Sequence, residues 1–413
     1  MNKVKIINFC DKAAKLSLWM VAFSFAISIA MTNVFLGFLI FFWFIKRILT
    51  RNFYPPQNPL NIFFVLLFAI SLYSMANSVE LSSSMGGIAR LFKCFIFFLA
   101  IVDTVNDKEK LKRVVWALLL GLLLISIDGI FQYFVGKDFI RGRDYLWCEL
   151  PVSTYGKGFH RLTASMKYSN VFACYLVTVI PLVLSLAVYY YRGKVRLFLS
   201  LLGILAAFCM LNTFFRGAAL AFVTVIMLFI VIKKDSKLAV ALAILAVCVP
   251  FILPKSVLKW VVANPNPIDF FVEQSGRRWH WQAAINMIKA HPFIGVGIKT
   301  FLNNYAQYKI PSDPLAGFNA HSSYLQLTAE TGFIGLAVFI AMIGAAIMQW
   351  RKEYLKIKAP DLQAISLGLF GAFIAFLTVS IMDSFLQSSH MTVLFYFILG
   401  LLIAANKMTQ RTV

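Results

Sequence analysis

The chain has 413 residues, of which 60% are apolar or aromatic types and 14% are charged, with phenylalanine alone at 41. Soluble globular proteins carry roughly 45–50% apolar and ~25% charged residues, so a soluble protein, a disulfide-rich secreted scaffold and a disordered chain are excluded. The apolar excess falls in separate blocks of about 17 to 25 residues, long enough to cross ~30 Å of hydrocarbon. The sequence reads as an all-α polytopic membrane protein.

In chain order, twelve spans are predicted at about 16–31, 33–50, 60–78, 88–105, 112–135, 168–191, 195–212, 215–232, 238–254, 322–350, 361–384 and 388–406. Backbone groups must be satisfied internally within lipid, so these segments are helices, and the short alternating segments of a β-barrel do not occur. The first pair is split only at Thr32-Asn33, and the fourth has a charged start at Arg90 and Lys93. The basic N-terminus precedes an apolar stretch without a small-x-small cleavage site, which reads as a retained first helix rather than a signal peptide. Cys10, Cys94, Cys174, Cys209 and Cys248 lie in or beside apolar segments and Cys148 in a polar loop, with no CxxC or Cys/His ligand spacing. Neither a disulfide nor a metal is implied.

Lysine and arginine counts set the expected orientation. The N-terminus, the C-terminal tail and the segments 46–51, 108–113, 192–196, 233–237 and 351–358 hold 23 of the 39 basic residues. The short loops near Thr32, Ser82 and Gln387 hold none. With an even number of spans, both termini are expected in the cytoplasm. The long loops 136–167 and 255–321, the latter between spans nine and ten, are then expected outside, on a single transmembrane domain covering 1–413.

Those two loops break the charge pattern. The first has six basic residues against three acidic, the second seven against three, and Arg216 lies in a short turn on the same side. Simple solvation is the plain reading; the sharper one is a basic basin for an anionic substrate at the membrane surface. Nucleic acid is not indicated, because topology explains most of the +22 net charge. No internal repeat is evident, which argues against a repeat-built secondary transporter.

Within 255–321, Pro254, Pro265 and Pro267 punctuate the start and Asn264-Pro-Asn-Pro reads as a turn. From Ser275, as N-cap, to Pro292 the pattern predicts an amphipathic helix with Trp281, Ala284, Ile285 and Ile288 on one face. Gly295-Val-Gly297 is a turn rather than a dinucleotide fingerprint, since no strand precedes it. A second short helix is expected over about 299–309. His321 opens the tenth span, where the positive end of the helix disfavours an imidazolium and suits a general base. Ser322, Gln326 and Glu330 follow at i, i+4 and i+8. Glu330 would lie ~13 Å into the span at 1.5 Å per residue, where a buried acid needs a basic partner or a loop to cap.

Arg216, in Asn-Thr-Phe-Phe-Arg-Gly-Ala-Ala, wants an anionic partner, either a phosphate or an acidic side chain. Arg277 and Arg278 open the predicted loop helix, adding charge to an N-terminus that favours phosphate. Arg161, ahead of the sixth span, could join them. The outer acids Asp138, Asp144, Glu149, Asp269, Glu273 and Asp313 form no evident carboxylate pair. Walker, HExxH, DxD and GxSxG patterns are absent, so no ATP site, zinc protease, metal-bound sugar-nucleotide site or hydrolase elbow is indicated.

These residues resemble the O-antigen ligase and polymerase family of bacterial envelope enzymes. The likeness rests on Arg277 with Trp281, Pro292-Phe-Ile-Gly-Val-Gly297, His321-Ser-Ser-Tyr-Leu-Gln326 and Glu330-Thr-Gly332-Phe-Ile-Gly335. Phe-Phe-Arg216-Gly and Arg161-Leu-Thr-Ala-Ser, ahead of a Ser-Asn170 span start, extend it, so that it covers roughly 160–335. The resemblance implies a GT-C-like fold and a metal-independent, inverting glycosyl transfer, without cofactor, on the outer face of a Gram-negative inner membrane. The implied donor is a glycan on undecaprenyl diphosphate. The implied acceptor, in the ligase branch, is lipid A–core.

By the same resemblance, His321 would deprotonate or orient the acceptor hydroxyl. Arg216 and Arg277, with Arg278 and Arg161, would hold the diphosphate, with Gln326 and Glu330 in support. Arg277 fits the Arg-xxx-Trp spacing better than Arg278. Within the family, an O-antigen polymerase or a protein O-oligosaccharyltransferase is the alternative. A polyprenyl-linked glycan transporter would need more mid-span ionisable residues than Asp128, Glu330 and Asp383. Glycan and oligomeric state are not implied.

Overall fold

A computed structural model describes residues 3–148, 159–240, 277–311, 313, 317 and 319–410. In chain order the helices are α1 (Lys3–Ser24), α2 (Ile29–Leu49), α3 (Asn61–Ser74), α4 (Leu81–Thr104), α5 (Lys108–Val135), α6 (Ser169–Tyr189) and α7 (Gly193–Leu211). Then come α8 (Arg216–Lys233), α9 (Arg277–Ala290), α10 (Phe301–Tyr308), α11 (Ser323–Tyr354), α12 (Pro360–Val379) and α13 (Ser389–Gln410). Among the described residues, nine helices are long and apolar enough to cross a membrane, which makes this an all-α polytopic membrane protein. Eleven predicted spans coincide with helices. Two of these, α1 and the 14-residue α3, are outside those nine. Most of the predicted ninth span, 238–254, lies outside the described residues, as do Ser275, Cys248, Glu149, Asp269, Glu273 and the prolines at 254, 265 and 267.

Several boundaries differ from expectation for identifiable reasons. The first two helices separate at residues 25–28, with Ser28 extended as N-cap, not at Thr32-Asn33. Thr32 stays helical because its hydroxyl donates back to the Ser28 carbonyl (2.9 Å) and accepts from Ser24 Oγ (3.1 Å). A hydroxyl bonded one turn back is tolerated inside a helix. The fourth helix starts at Leu81 rather than 88, since its two cations find partners: Arg90 on Gln387 and Lys93 on Asn33 Oδ1 (3.1 Å). Asp383 falls beyond the end of α12, in the turn to α13.

α6, α12 and α13 form the centre, with 83%, 83% and 94% of their most apolar windows buried. Small residues let these helices approach: a methyl added at Gly368 would stand 2.9 Å from the Leu182 Cα. Trp350 stacks on Phe370 with centroids 3.6 Å apart. The 136–167 loop carries an unpredicted pair of antiparallel strands, β1 (Leu146–Cys148) with β2 (Phe159–Arg161), Leu146 opposite Arg161.

The loop is tied down from below. Asp128 accepts from the Phe139 and Ile140 amides (2.8 and 3.3 Å), and Gln132 Oε1 accepts from the Thr163 and Ala164 amides (2.9 and 2.8 Å). Asp128, predicted as a mid-span ionisable residue, thus caps a loop that folds back to meet it.

The predicted continuous tenth span is broken. Ser322 is the N-cap, accepting from the Leu325 amide, and Gly332 interrupts the helix at φ 70°, ψ −178°. The break is where the 292–297 turn docks. Phe333 N–H donates to the Pro292 carbonyl (2.8 Å), Val296 N–H to Ala329 (2.9 Å) and Gly297 N–H to Glu330 (3.1 Å). A Cβ on Gly295 or Gly332 would land inside the opposing backbone at Glu330 or Phe293. Both glycines also have φ of +70°, so only residues without a Cβ build this joint.

Candidate functional site

The site assembles at one end of the bundle, where β2, the first turn of α6, the α7–α8 turn, α9, the segment before α11 and the α12–α13 turn meet. Arg161, the last residue of β2, donates from Nε to the Thr213 carbonyl (2.8 Å) and from Nη2 to Asn170 Oδ1 (2.9 Å). It thereby joins the α7–α8 turn to the first turn of α6. Phe214 in that turn has a left-handed φ of 53°, and Arg216 follows as the first residue of α8. Gly217 is required next, because a Cβ there would stand 2.9 Å from Met382 Cβ. The start of α8 is therefore pressed against the α12–α13 turn.

Arg277 and His280, on one face of α9, are 8% and 4% exposed. The buried face of α9 is Arg277, His280, Ala283, Ala284 and Met287; of the predicted face Ala284 is buried and Ile288 partly so, but Ile285 is 37% exposed. Polar residues turned inward defeat an apolar pattern, and here they turn toward the site. Arg278 is exposed and does not share that face. The predicted second loop helix is α10, beginning at Phe301 and ending at Tyr308.

His321 precedes the N-cap of α11 instead of opening the helix, with a left-handed φ of 49°. For a non-glycine residue this conformation costs about 1–2 kcal/mol, and observed strain of this kind clusters at functional sites. Its Nδ1 lies 3.2 Å from Asp383 Oδ1, and its ring meets His280 edge-to-face with centroids 5.1 Å apart. Asp383 also accepts from Asn170 Nδ2 (2.9 Å) and the Ser384 amide (2.8 Å). Burial pushes its carboxyl up, but His321, Asn170 and Ser384 together outweigh that and hold it below the usual aspartate range. An ionised Asp383 only accepts hydrogen bonds, so His321 Nδ1 is the nitrogen that carries a proton in this pair.

Arg161, Arg216 and Arg277 come together: the charges of Arg277 and Arg161 both act on Arg216. Burial pulls the Arg277 guanidinium below the usual arginine range, and Asp383 opposes this only in part. Three cations in a poorly solvated corner favour an anion with several oxygens. Among the described residues, no three His, Cys, Asp or Glu side chains gather as metal ligands.

Gln326 and Glu330 stand behind the site. Gln326 Oε1 accepts from the Ala320 amide (3.2 Å), fixing the residue before His321, and its Nε2 donates to Glu330 Oε1 (3.0 Å). Glu330 Oε2 accepts from the Lys299 amide (2.7 Å) and Gln387 Nε2 (3.1 Å). Sequence reasoning missed Asp383 and His280 as site residues and used Asn170 only as a motif neighbour. The available signal was an acid at the end of an apolar span beside Ser384 and Gln387.

The architecture and this cluster define a polytopic membrane protein with a His–Asp pair facing an arginine group. Residues 201–340 match the family model described as O-antigen ligase. That match supports membership of the O-antigen ligase and polymerase family, which implies a glycosyltransferase-like enzyme with ligase- or polymerase-type activity. The matched stretch includes Arg216, Arg277 and His321 but not Arg161, Asn170 or Asp383. None of the curated proteins matches the chain.

Proposed function

We propose that the protein is an O-antigen ligase. In this reading it transfers a glycan from undecaprenyl diphosphate to a sugar hydroxyl of lipid A–core, with inversion and without a metal, on the periplasmic side of a Gram-negative inner membrane. The observation that carries the reading is the His321–Asp383 pair set beside Arg161, Arg216 and Arg277.

The acceptor hydroxyl oxygen attacks the anomeric carbon as the bond to the diphosphate oxygen breaks. The hydroxyl proton passes to His321 Nε2 while Asp383 holds the opposite ring nitrogen and stabilises the imidazolium. Undecaprenyl diphosphate leaves with one additional negative charge, which the three guanidinium groups neutralise. Cations aimed at the developing charge substitute for a general acid at a leaving group that is already good. The donor carries the energy, so no nucleotide is consumed. Gln326 and Glu330 hold the loop before His321.

The test uses purified protein in detergent with EDTA, undecaprenyl-diphosphate glycan and lipid A–core, read as mobility of the lipid A–core band. A shift to glycan-bearing lipopolysaccharide is expected. Lengthened undecaprenyl-linked glycan without that shift would make the protein a polymerase instead. His321→Ala, Arg216→Ala and Arg277→Ala should each abolish transfer in a folded, inserted protein, and full activity of His321→Ala would remove the base assignment.

A further inference from the structure

Between α3, α4, α11 and α13 lies a cleft of about 80 Å³ walled by Leu67, Ile70, Leu91, Leu327 and Phe339. Leu91 also lines a second apolar hollow between α3 and α4, so the two hollows adjoin at that side chain along an apolar track. Beside it, Leu66 and Phe92 are 40% and 53% exposed on the outside of the bundle. A slot of this shape fits a hydrocarbon chain entering from the membrane.

One end of the cleft is polar. Arg90 donates to the Gln387 carbonyl (2.6 Å) and to its Oε1 (2.7 Å). Among the described residues, no carboxylate lies within ion-pairing distance of Arg90. Glu330, which lines the same cleft, is occupied by Gln326, Gln387 and the Lys299 amide. The Lys299 ammonium stands close to Gly86, next to the wall residue Gly87. The charge of Arg90 acts on the buried Glu330, with Gln387 bridging the two, and the Lys299 ammonium adds a second cation at this end. An apolar track ending in two cations and one acid complements an amphiphile with an anionic head.

The cleft is separated from the arginine group by the 382–387 turn. On one side of the turn Met382 meets Gly217 and Phe385 packs on Phe215 at 6.0 Å. On the other, Leu386 and Gln387 line the cleft. Ser323 also lines it, donating from Oγ to the Asp383 carbonyl (3.0 Å) and accepting from the Leu386 amide (3.2 Å). The His321–Asp383 pair thus stands at the divide between two compartments.

We infer that the cleft seats an acyl chain of the acceptor glycolipid, with Arg90 taking an anionic group of its head. This rests on the transferase reading: a reaction between two lipid-borne molecules needs two lipid entries, and the arginine group serves the diphosphate of the donor. The test measures binding without turnover, in detergent, of fluorescent diphosphorylated lipid A and, separately, of undecaprenyl phosphate. Arg90→Gln removes the charge, and Leu91→Trp fills the track; both are checked for unchanged melting temperature.

Each variant should weaken lipid A binding about tenfold or more, equivalent to about 1.4 kcal/mol, and leave undecaprenyl phosphate binding within twofold. Unchanged lipid A binding in Leu91→Trp, loss of undecaprenyl phosphate alone, or equal loss of both overturns the assignment. A wild-type protein that binds lipid A in this way but transfers no glycan would sink the transferase reading and leave the cleft assignment standing.

Discussion

At the scale of single residues, the proposed chemistry depends on which nitrogen of His321 carries the proton, and Asp383 decides it. Asp383→Asn keeps the shape but can offer its amide N–H to Nδ1, which stabilises the wrong tautomer. General-base catalysis contributes roughly 10²–10⁴-fold, so turnover should fall by about 10²-fold or more while the KM for the diphosphate donor stays nearly unchanged. Steady-state kinetics checks this, and a rise in donor KM alone would make Asp383 a phosphate-side residue. The carboxyl also carries a pH signature. Its folded value lies below its unfolded one, so its contribution to stability is present above the unfolded aspartate range, near ~3.9, and is lost as pH falls through the folded value. The melting temperature of Asp383→Asn should therefore drop less than that of the wild type on acidification below about pH 4. In the sequence Arg216 stands out as an arginine in a short turn between spans, whereas His321 was singled out chiefly through the family resemblance. Asp383 was visible only as an isolated acid, since its partner lies 62 residues away and nothing local announces the pairing.

At the scale of elements, the Pro292–Gly297 turn and the Gly332 break form one joint that sets the position of His321. With Gly332 at φ 70° and no room for a Cβ at either glycine, Gly295→Ala and Gly332→Ala must displace backbone. Strain at such positions costs on the order of 1–3 kcal/mol before the steric overlap is counted. Both variants should melt at clearly lower temperature and lose transfer, whereas Gly344→Ala, at a position with open space, should do neither. A Gly332→Ala protein with normal melting and activity would show that the joint is not needed to position His321. Long apolar helices were readable from composition because membrane length imposes them. The joint was not, because hydropathy averages over a window and passes through a one-residue break. The buried face of α9 was misread for the opposite reason: its inward residues include Arg277 and His280, which an apolar pattern assigns to solvent.

At the scale of the whole molecule, the two ends of the bundle handle charge differently. Away from the site, cations are paired with acids: Arg47 with Asp103 (2.9 Å), Lys46 with Asp11 (2.6 Å), and Lys112 with Asp361 (2.8 Å). At the site end, Arg161, Arg216 and Arg277 are gathered near one another, with Asp383 acting on Arg277. Lysines and arginines concentrate at the cytoplasmic ends of spans, so under the proposed orientation the end that carries segments 46–51, 108–113 and 351–358 is the cytoplasmic one and the arginine group is expected to face the periplasm. Because α11 begins beside His321 and ends at Tyr354, the exposed Lys289 of α9 and the exposed Lys358 beyond α11 report opposite faces. In a variant with its six cysteines replaced, a membrane-impermeant maleimide should label Lys289→Cys in intact spheroplasts. Lys358→Cys should react only after permeabilisation. The reverse pattern would place the His321–Asp383 pair on the cytoplasmic face, out of reach of a periplasmic acceptor, and the ligase reading would fall with the orientation.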